Sequence, residues 1–134
     1  MLPEPGSAED WLRYARSDLA VAQRSRAPDV LRETLCFHAQ QAIEKSIKAV
    51  LVHHRIASPK THSIARLIDL LPPSVCGPPA PLDSDQLTAY ATALRYPAQG
   101  EPVTEDEFCR ALHAAKAVLS WAEGVAGATP RDEM

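Results

Sequence analysis

The sequence predicts an all-α protein, a bundle of four main helices plus a short fifth, on three observations. Apolar residues make up 46% of the 134 and aromatics only 5%, with alanine and leucine supplying most of the apolar mass. Small and unbranched side chains of that kind favour helices over sheets built from valine, isoleucine and tyrosine. Long stretches repeat apolar residues at three- and four-residue spacing. Finally, no segment reads as a strand, and no internal repeat is present.

The elements follow in order. Ser7-Ala8-Glu9-Asp10 reads as a helix start, a serine cap followed by acids that complement the helix dipole. Trp11, Leu12, Ala15, Leu19 and Ala22 recur on one face, and Pro28 ends the helix beyond about Arg24–Ala27. The second helix is the longest, from about Asp29 to His54, with no Gly or Pro inside. Leu31, Leu35, Ala39, Ala42, Ser46 and Val50 form one seam, and Cys36, Ile43, Ile47 and Leu51 another. Two seams predict burial on two sides, as in a central bundle helix or one at a dimer interface. Ser58-Pro59-Lys60-Thr61 breaks the pattern, and Thr61 or Ser63 caps a short helix with Ile64, Leu67, Ile68 and Leu71 inward.

Five prolines in ten residues at 72–81 exclude helix and central strand and predict a stiff extended connection. Asp83 or Ser84 opens a helix carrying Leu87, Tyr90, Ala91 and Leu94, which Pro97 stops. Thr104-Glu105-Asp106-Glu107 is a capping box. It starts a last helix with Phe108, Ala111, Leu112, Ala115, Val118, Leu119 and Ala122 in register. One domain over 1–134 is expected, with its core at about 7–124 and a frayed tail at 127–134.

Composition narrows the function classes. No run of about eighteen apolar residues exists, so no membrane span is expected. The N-terminus lacks the basic and apolar regions of a secretion signal. Cys36, Cys76 and Cys109 are an odd, widely spaced set without CxxC, so neither a disulfide framework nor a zinc site is indicated, and a reducing cytoplasm is the plain expectation. The net charge of −3 is uneven: residues 38–66 carry five basic side chains against Glu44 alone, while residues 67–134 carry four basic and ten acidic ones. An acidic chain does not coat duplex nucleic acid through counterion release, but the central segment offers cations for a few phosphates.

That segment holds the main candidate site. At about 100° per residue, His38, Gln41, Lys45 and Lys48 fall within roughly 80° of the second helix, beside its apolar seams. Ammonium, amide and imidazole groups in one line suit a phosphate or nucleotide; the bland alternative is a solvated face with Glu44 and Lys48 as an ordinary i,i+4 pair. Lys60-Thr61-His62 lies at a helix start, where backbone N–H groups favour anions. Arg95-Tyr96-Pro97 closes the fourth helix, where a cation meets the negative end of the dipole. Asp18 reads as a buried carboxylate paired with Lys45 or His38. His53 and His54 point about 100° apart on the helix and do not readily share a metal. There is no Gly-rich phosphate loop, no HExxH and no GxSxG, and no cofactor is expected.

The string Cys36-Phe37-His38-Ala39-Gln40-Gln41-Ala42-Ile43-Glu44-Lys45-Ser46-Ile47-Lys48-Ala49 closely resembles the core helix of HEPN-domain proteins, the higher eukaryote and prokaryote nucleotide-binding family. Trp11 to Ala22, with Asp18-Leu19, is similar to the family's first helix. Lys60-Thr61-His62-Ser63-Ile64 resembles its KTH-type turn, Leu94-Arg95-Tyr96-Pro97 its RYP segment, and the amphipathic helix ending near Trp121 its last helix. The resemblance runs from about Ser7 to Glu123. It implies a small antiparallel up-and-down bundle, commonly a homodimer in the cytoplasm, often encoded beside a nucleotidyltransferase.

Many members of the family are RNA-cleaving toxins with an Arg followed four to six residues later by His. Here Arg95 is present, but no histidine follows until His113, so the resemblance assigns no catalytic residue; a ribonuclease would have to draw on Arg95, His38 and His62. The expectation is therefore a nucleotide- or RNA-binding module acting with a nucleotidyltransferase. Its groove would comprise His38, Gln41, Lys45, Lys48, Lys60, His62, Arg95 and Tyr96. The alternatives are a metal-independent ribonuclease toxin of a toxin–antitoxin pair, and a scaffold modified by the nucleotidyltransferase, with Tyr96 as the first hydroxyl to examine.

Overall fold

The computed structural model describes residues 6–24, 28–79, 84–93 and 102–127, with 84 and 90–93 described by backbone alone. Among these residues are α1 (Ala8–Arg24), α2 (Arg32–His53), α3 (Ile64–Asp69), α4 (Ser84–Ala93) and α5 (Glu105–Ala126), and no strand.

Local chemistry sets the helix ends. Ser7 Oγ accepts from Asp10 N while the Asp10 carboxylate accepts from Ser7 N, so each end of this reciprocal pair satisfies one orphan donor. The capping box at α5 forms as the sequence predicts, between Thr104 and Glu107. Of the two candidate caps for α3, Ser63 takes the role and accepts from Arg66 N. Gly6 adopts φ +132°, a backbone conformation that side chains resist, and brings the chain against the Trp11 indole.

At its start, α2 differs from the sequence expectation. It begins at Arg32, three residues after Asp29, because Pro28 to Val30 form a turn and Leu31 stays extended as the N-cap. Leu31, placed in the first apolar seam by its spacing, is therefore 62% exposed and outside the core. At the other end, Ile56 N reaches Leu51 O and Arg55 N reaches Val52 O, a Schellman closure with Arg55 at φ +61° where glycine is usual.

From Ala39 to Leu51 every residue of α2 except Lys45 is buried. Two seams alone would not do this. Helices α1 and α5 cover the two apolar sides, while α3 and α4 close on it from the third. The core joins Leu12, Ala15 and Ala22 of α1 to Ile43, Ile47 and Leu51 of α2 and to Phe108, Ala115 and Val118 of α5. Asp18 of α1 meets His38 and Lys45, whereas Trp11 meets Lys48, so α1 runs antiparallel to α2. Arg16 meets Glu123 and Leu12 approaches Gly127, so α1 is antiparallel to α5 as well, in the up-and-down manner. No helix is long and apolar enough to cross a membrane, among the described residues. The expected cap at Asp83, the stop at Pro97 and the tail beyond Gly127 lie outside the described residues.

Candidate functional site

The polar stripe of α2 does not form one open trough. It divides into two clusters of the same design, each with a carboxylate at its centre. In the first, Asp18 of α1 faces α2: its Oδ1 accepts from His38 Nδ1 at 2.9 Å and its Oδ2 from Lys45 Nζ at 2.6 Å. These groups are partly buried, with Lys45 20% exposed and lying against the Tyr14 ring. The pairing of Asp18 with either partner, open at the sequence level, is thus made with both.

In the second, Glu44 is the hub. Its Oε1 accepts from Gln40 Nε2 at 3.0 Å, from Gln41 Nε2 at 3.3 Å and from His62 Nδ1 at 3.0 Å. Its Oε2 lies 3.0 Å from Lys48 Nζ. Gln41 also donates to Gln40 Oε1 at 2.8 Å. The Lys48 ammonium sits 5.2 Å from the centre of the Trp11 ring. Glu44 and Lys48 are 4% and 2% exposed, so the i,i+4 pair is not a solvated one, and neither Lys48 nor Gln41 offers a head to bulk water. A carboxylate buried this deeply is tolerable only because both of its oxygens meet donors. His62, by contrast, is 57% exposed: it closes the network from the surface.

At the Lys60-Thr61-His62 turn, three backbone N–H groups of the helix start that follows already have partners within the chain. Ser63 N donates to Thr61 Oγ1, Ile64 N to Thr88 Oγ1 of α4 and Arg66 N to Ser63 Oγ. The turn is held by the chain itself, and what it presents outward is the side chains of Lys60 and His62. Arg95 and Tyr96 lie outside the described residues.

The structure also brings in residues that the spacing did not single out. Trp11 and Tyr14, one turn apart on α1, stand over Lys48 and Lys45 respectively and so link the two clusters. Beside them lies an open cavity of about 480 Å³ lined by Gly6, Asp10, Trp11, Arg13 and Tyr14. Tyr14 is an exposed aromatic, with the Arg13 guanidinium 5.3 Å from its ring centre. Gln40 and Glu44 were hidden among neighbours on the same helix; the signal was that Glu44 is the sole acid of a basic segment, four residues from both Gln40 and Lys48. Among the described residues no group of three His, Cys, Asp or Glu side chains could hold a metal.

A family model of the HEPN domain matches residues 8–125. Among solved structures, the chain is similar to TT1696 from Thermus thermophilus, with a TM-score of 0.69 and 29% identity over 87% of this chain and 96% of that one. It is also similar to ST0689, an archaeal HEPN homologue, with a TM-score of 0.66 and 29% identity over 90% and 98% of the two chains. A search of curated proteins finds no match. The family model matches nearly the whole length and both solved structures share the helical fold, and the chain belongs to the HEPN-domain family.

Proposed function

We propose that this HEPN chain is a binding module for a phosphate-bearing ligand, a nucleotide or short RNA, acting in the cytoplasm as a homodimer with a nucleotidyltransferase partner. The observation that carries the reading is the pair of carboxylate-anchored imidazoles, His38 and His62, together with an aromatic concavity at α1 lined by Trp11, Arg13 and Tyr14. Lys45, Lys60 and Arg13 supply charge for phosphate, and the exposed Tyr14 supplies a face for a base. Gln41 and Lys48 act from behind, by fixing Glu44; Arg95 and Tyr96 remain groove candidates on the family resemblance.

Calorimetry with a nucleotide at up to millimolar concentration tests this. The expected result is saturable binding that weakens with added salt, and that falls several-fold in Lys45→Ala and in the exposed Arg13→Ala. Absence of any heat of binding from folded protein ends the reading.

The two carboxylate-anchored imidazoles also favour a second reading, a metal-independent ribonuclease, since acid–base cleavage uses a proton acceptor and a proton donor and imidazole can fill either role. It requires growth arrest on expression and RNA cleavage that Arg95→Ala abolishes; intact RNA after incubation with purified protein excludes it. A third, a scaffold nucleotidylated at Tyr96, is tested by mass analysis of protein purified from its native host.

A further inference from the structure

We propose that His62 is a ribose-hydroxyl reader: Glu44 fixes its imidazole so that a bare Nε2 faces solvent and accepts a hydrogen bond from a 2′-hydroxyl. The inference rests on the nucleotide-binding reading above and adds the sugar class to it.

Glu44 sets the arrangement. Its Oε1 is 3.0 Å from His62 Nδ1, and its remaining neighbours, the amides of Gln40 and Gln41 and the Lys48 ammonium, are all donors. A carboxylate in that setting accepts and has no proton to give, so the proton between it and the imidazole belongs to Nδ1. In the neutral ring the lone pair then sits on Nε2. The two nitrogens flank Cε1 with widely diverging N–H and lone-pair directions, and the side chain is 57% exposed, so Nε2 points away from the buried hub.

Backbone ties keep the ring in place. Thr61, Ser63 and Ile64 are held by hydrogen bonds to the turn itself and to Thr88 of α4. Orientation and tautomer are therefore set before any ligand arrives, the arrangement seen when a carboxylate supports a ligating histidine.

The chemistry of Nε2 then selects the ligand group. A lone pair needs a donor, and a phosphate oxygen is an acceptor. A phosphate would go instead to a cation such as the exposed Lys60, two residues away. Within a nucleotide the donors are sugar hydroxyls and base N–H groups, and only the hydroxyl separates ribose from deoxyribose. Asp18 supports His38 in the same way, but that ring is only 29% exposed. His62 is the more open of the two.

The variant His62→Asn isolates the point. Its amide retains a donor near the Nδ1 position for Glu44 while deleting the Nε2 side. Adenosine 5′-monophosphate and its 2′-deoxy counterpart are titrated into wild type and variant. Wild type is expected to prefer the ribose form roughly three- to tenfold. In His62→Asn the two affinities become equal.

Equal binding of both nucleotides by wild type overturns the proposal and leaves the binding reading standing. Failure of wild type to bind either overturns both, and a preference that survives His62→Asn assigns the hydroxyl contact elsewhere. Long-range proton–nitrogen NMR of the wild-type histidine rings needs no variant. An Nδ1–H tautomer at His62 is expected, and an Nε2–H tautomer overturns the proposal whatever the binding data show.

Discussion

At the scale of single residues, the chain commits two carboxylates to positions that water barely reaches. Glu44 and Lys48 make an ion pair of the kind whose formation gives little stability but whose disruption costs much, because the surviving charge stays buried. Replacing Glu44 by Ala is expected to cost about 3–5 kcal/mol. The exposed Arg110–Asp106 pair on α5 shares the i,i+4 spacing, and Asp106→Ala is expected to cost no more than about 0.5 kcal/mol. Urea unfolding of the two variants makes the comparison, and equal losses would mean that Glu44 is solvated in solution. The spacing of α2 supplied Glu44 and Lys48 as a pair but not their burial. Periodicity reports which side chains share a face; whether another helix lies over that face depends on Trp11, which is remote from Lys48 along the chain.

At the scale of elements, helix starts were the most legible features because their chemistry is local. Ser7 with Asp10, and Thr104 with Glu107, are capping pairs whose partners lie three residues apart. The backbone N–H of Ser7 holds the Asp10 carboxyl below its usual range, and that of Thr104 does the same for Glu107. A carboxyl whose folded value is lowered stabilises the fold above its unfolded value, and that contribution disappears as pH falls through the folded one. Thermal melts of wild type should therefore lose stability below the ordinary carboxylate range. In Asp10→Asn/Glu107→Gln that part of the acid limb should flatten, and an unchanged limb would mean that other carboxylates dominate. The start of α2 was less legible. Asp29 is a good cap by type, but Pro28 turns the chain there, and the helix waits for Leu31, whose side chain gives no capping bond.

At the scale of the whole molecule, α1 is the strap that joins the other long helices. Its small residues Ala15 and Ala22 share the core with Ala39 and Ala42 of α2, all fully buried, where α1 and α2 pack. Arg16 reaches from α1 to Glu123 of α5 at 2.7 Å and to Glu9 at 3.1 Å. The Glu123 hydrogen bond raises the guanidinium above its usual value. Enlarging Ala42 to Leu in so close a contact is expected to cost about 1–3 kcal/mol and to lower the melting temperature. No change in melting temperature would show that the helices can part without penalty. The same approach of α1 places Trp11 and Tyr14 over the lysines and forms the cavity beside them.

The amino-acid order by itself determined the helical class, the helix starts at Ser7 and Thr104, the inward faces of the first and last helices and the family resemblance carried by 36–49. All of these depend on residues within a few turns of one another, where spacing and side-chain type are sufficient. Only the tertiary structure decided that the polar line of α2 is two carboxylate-centred clusters, one sealed by Trp11 and His62 and the other shared with α1. Those clusters are made by side chains from different helices, and the desolvation that gives them their chemistry exists only once the helices have packed.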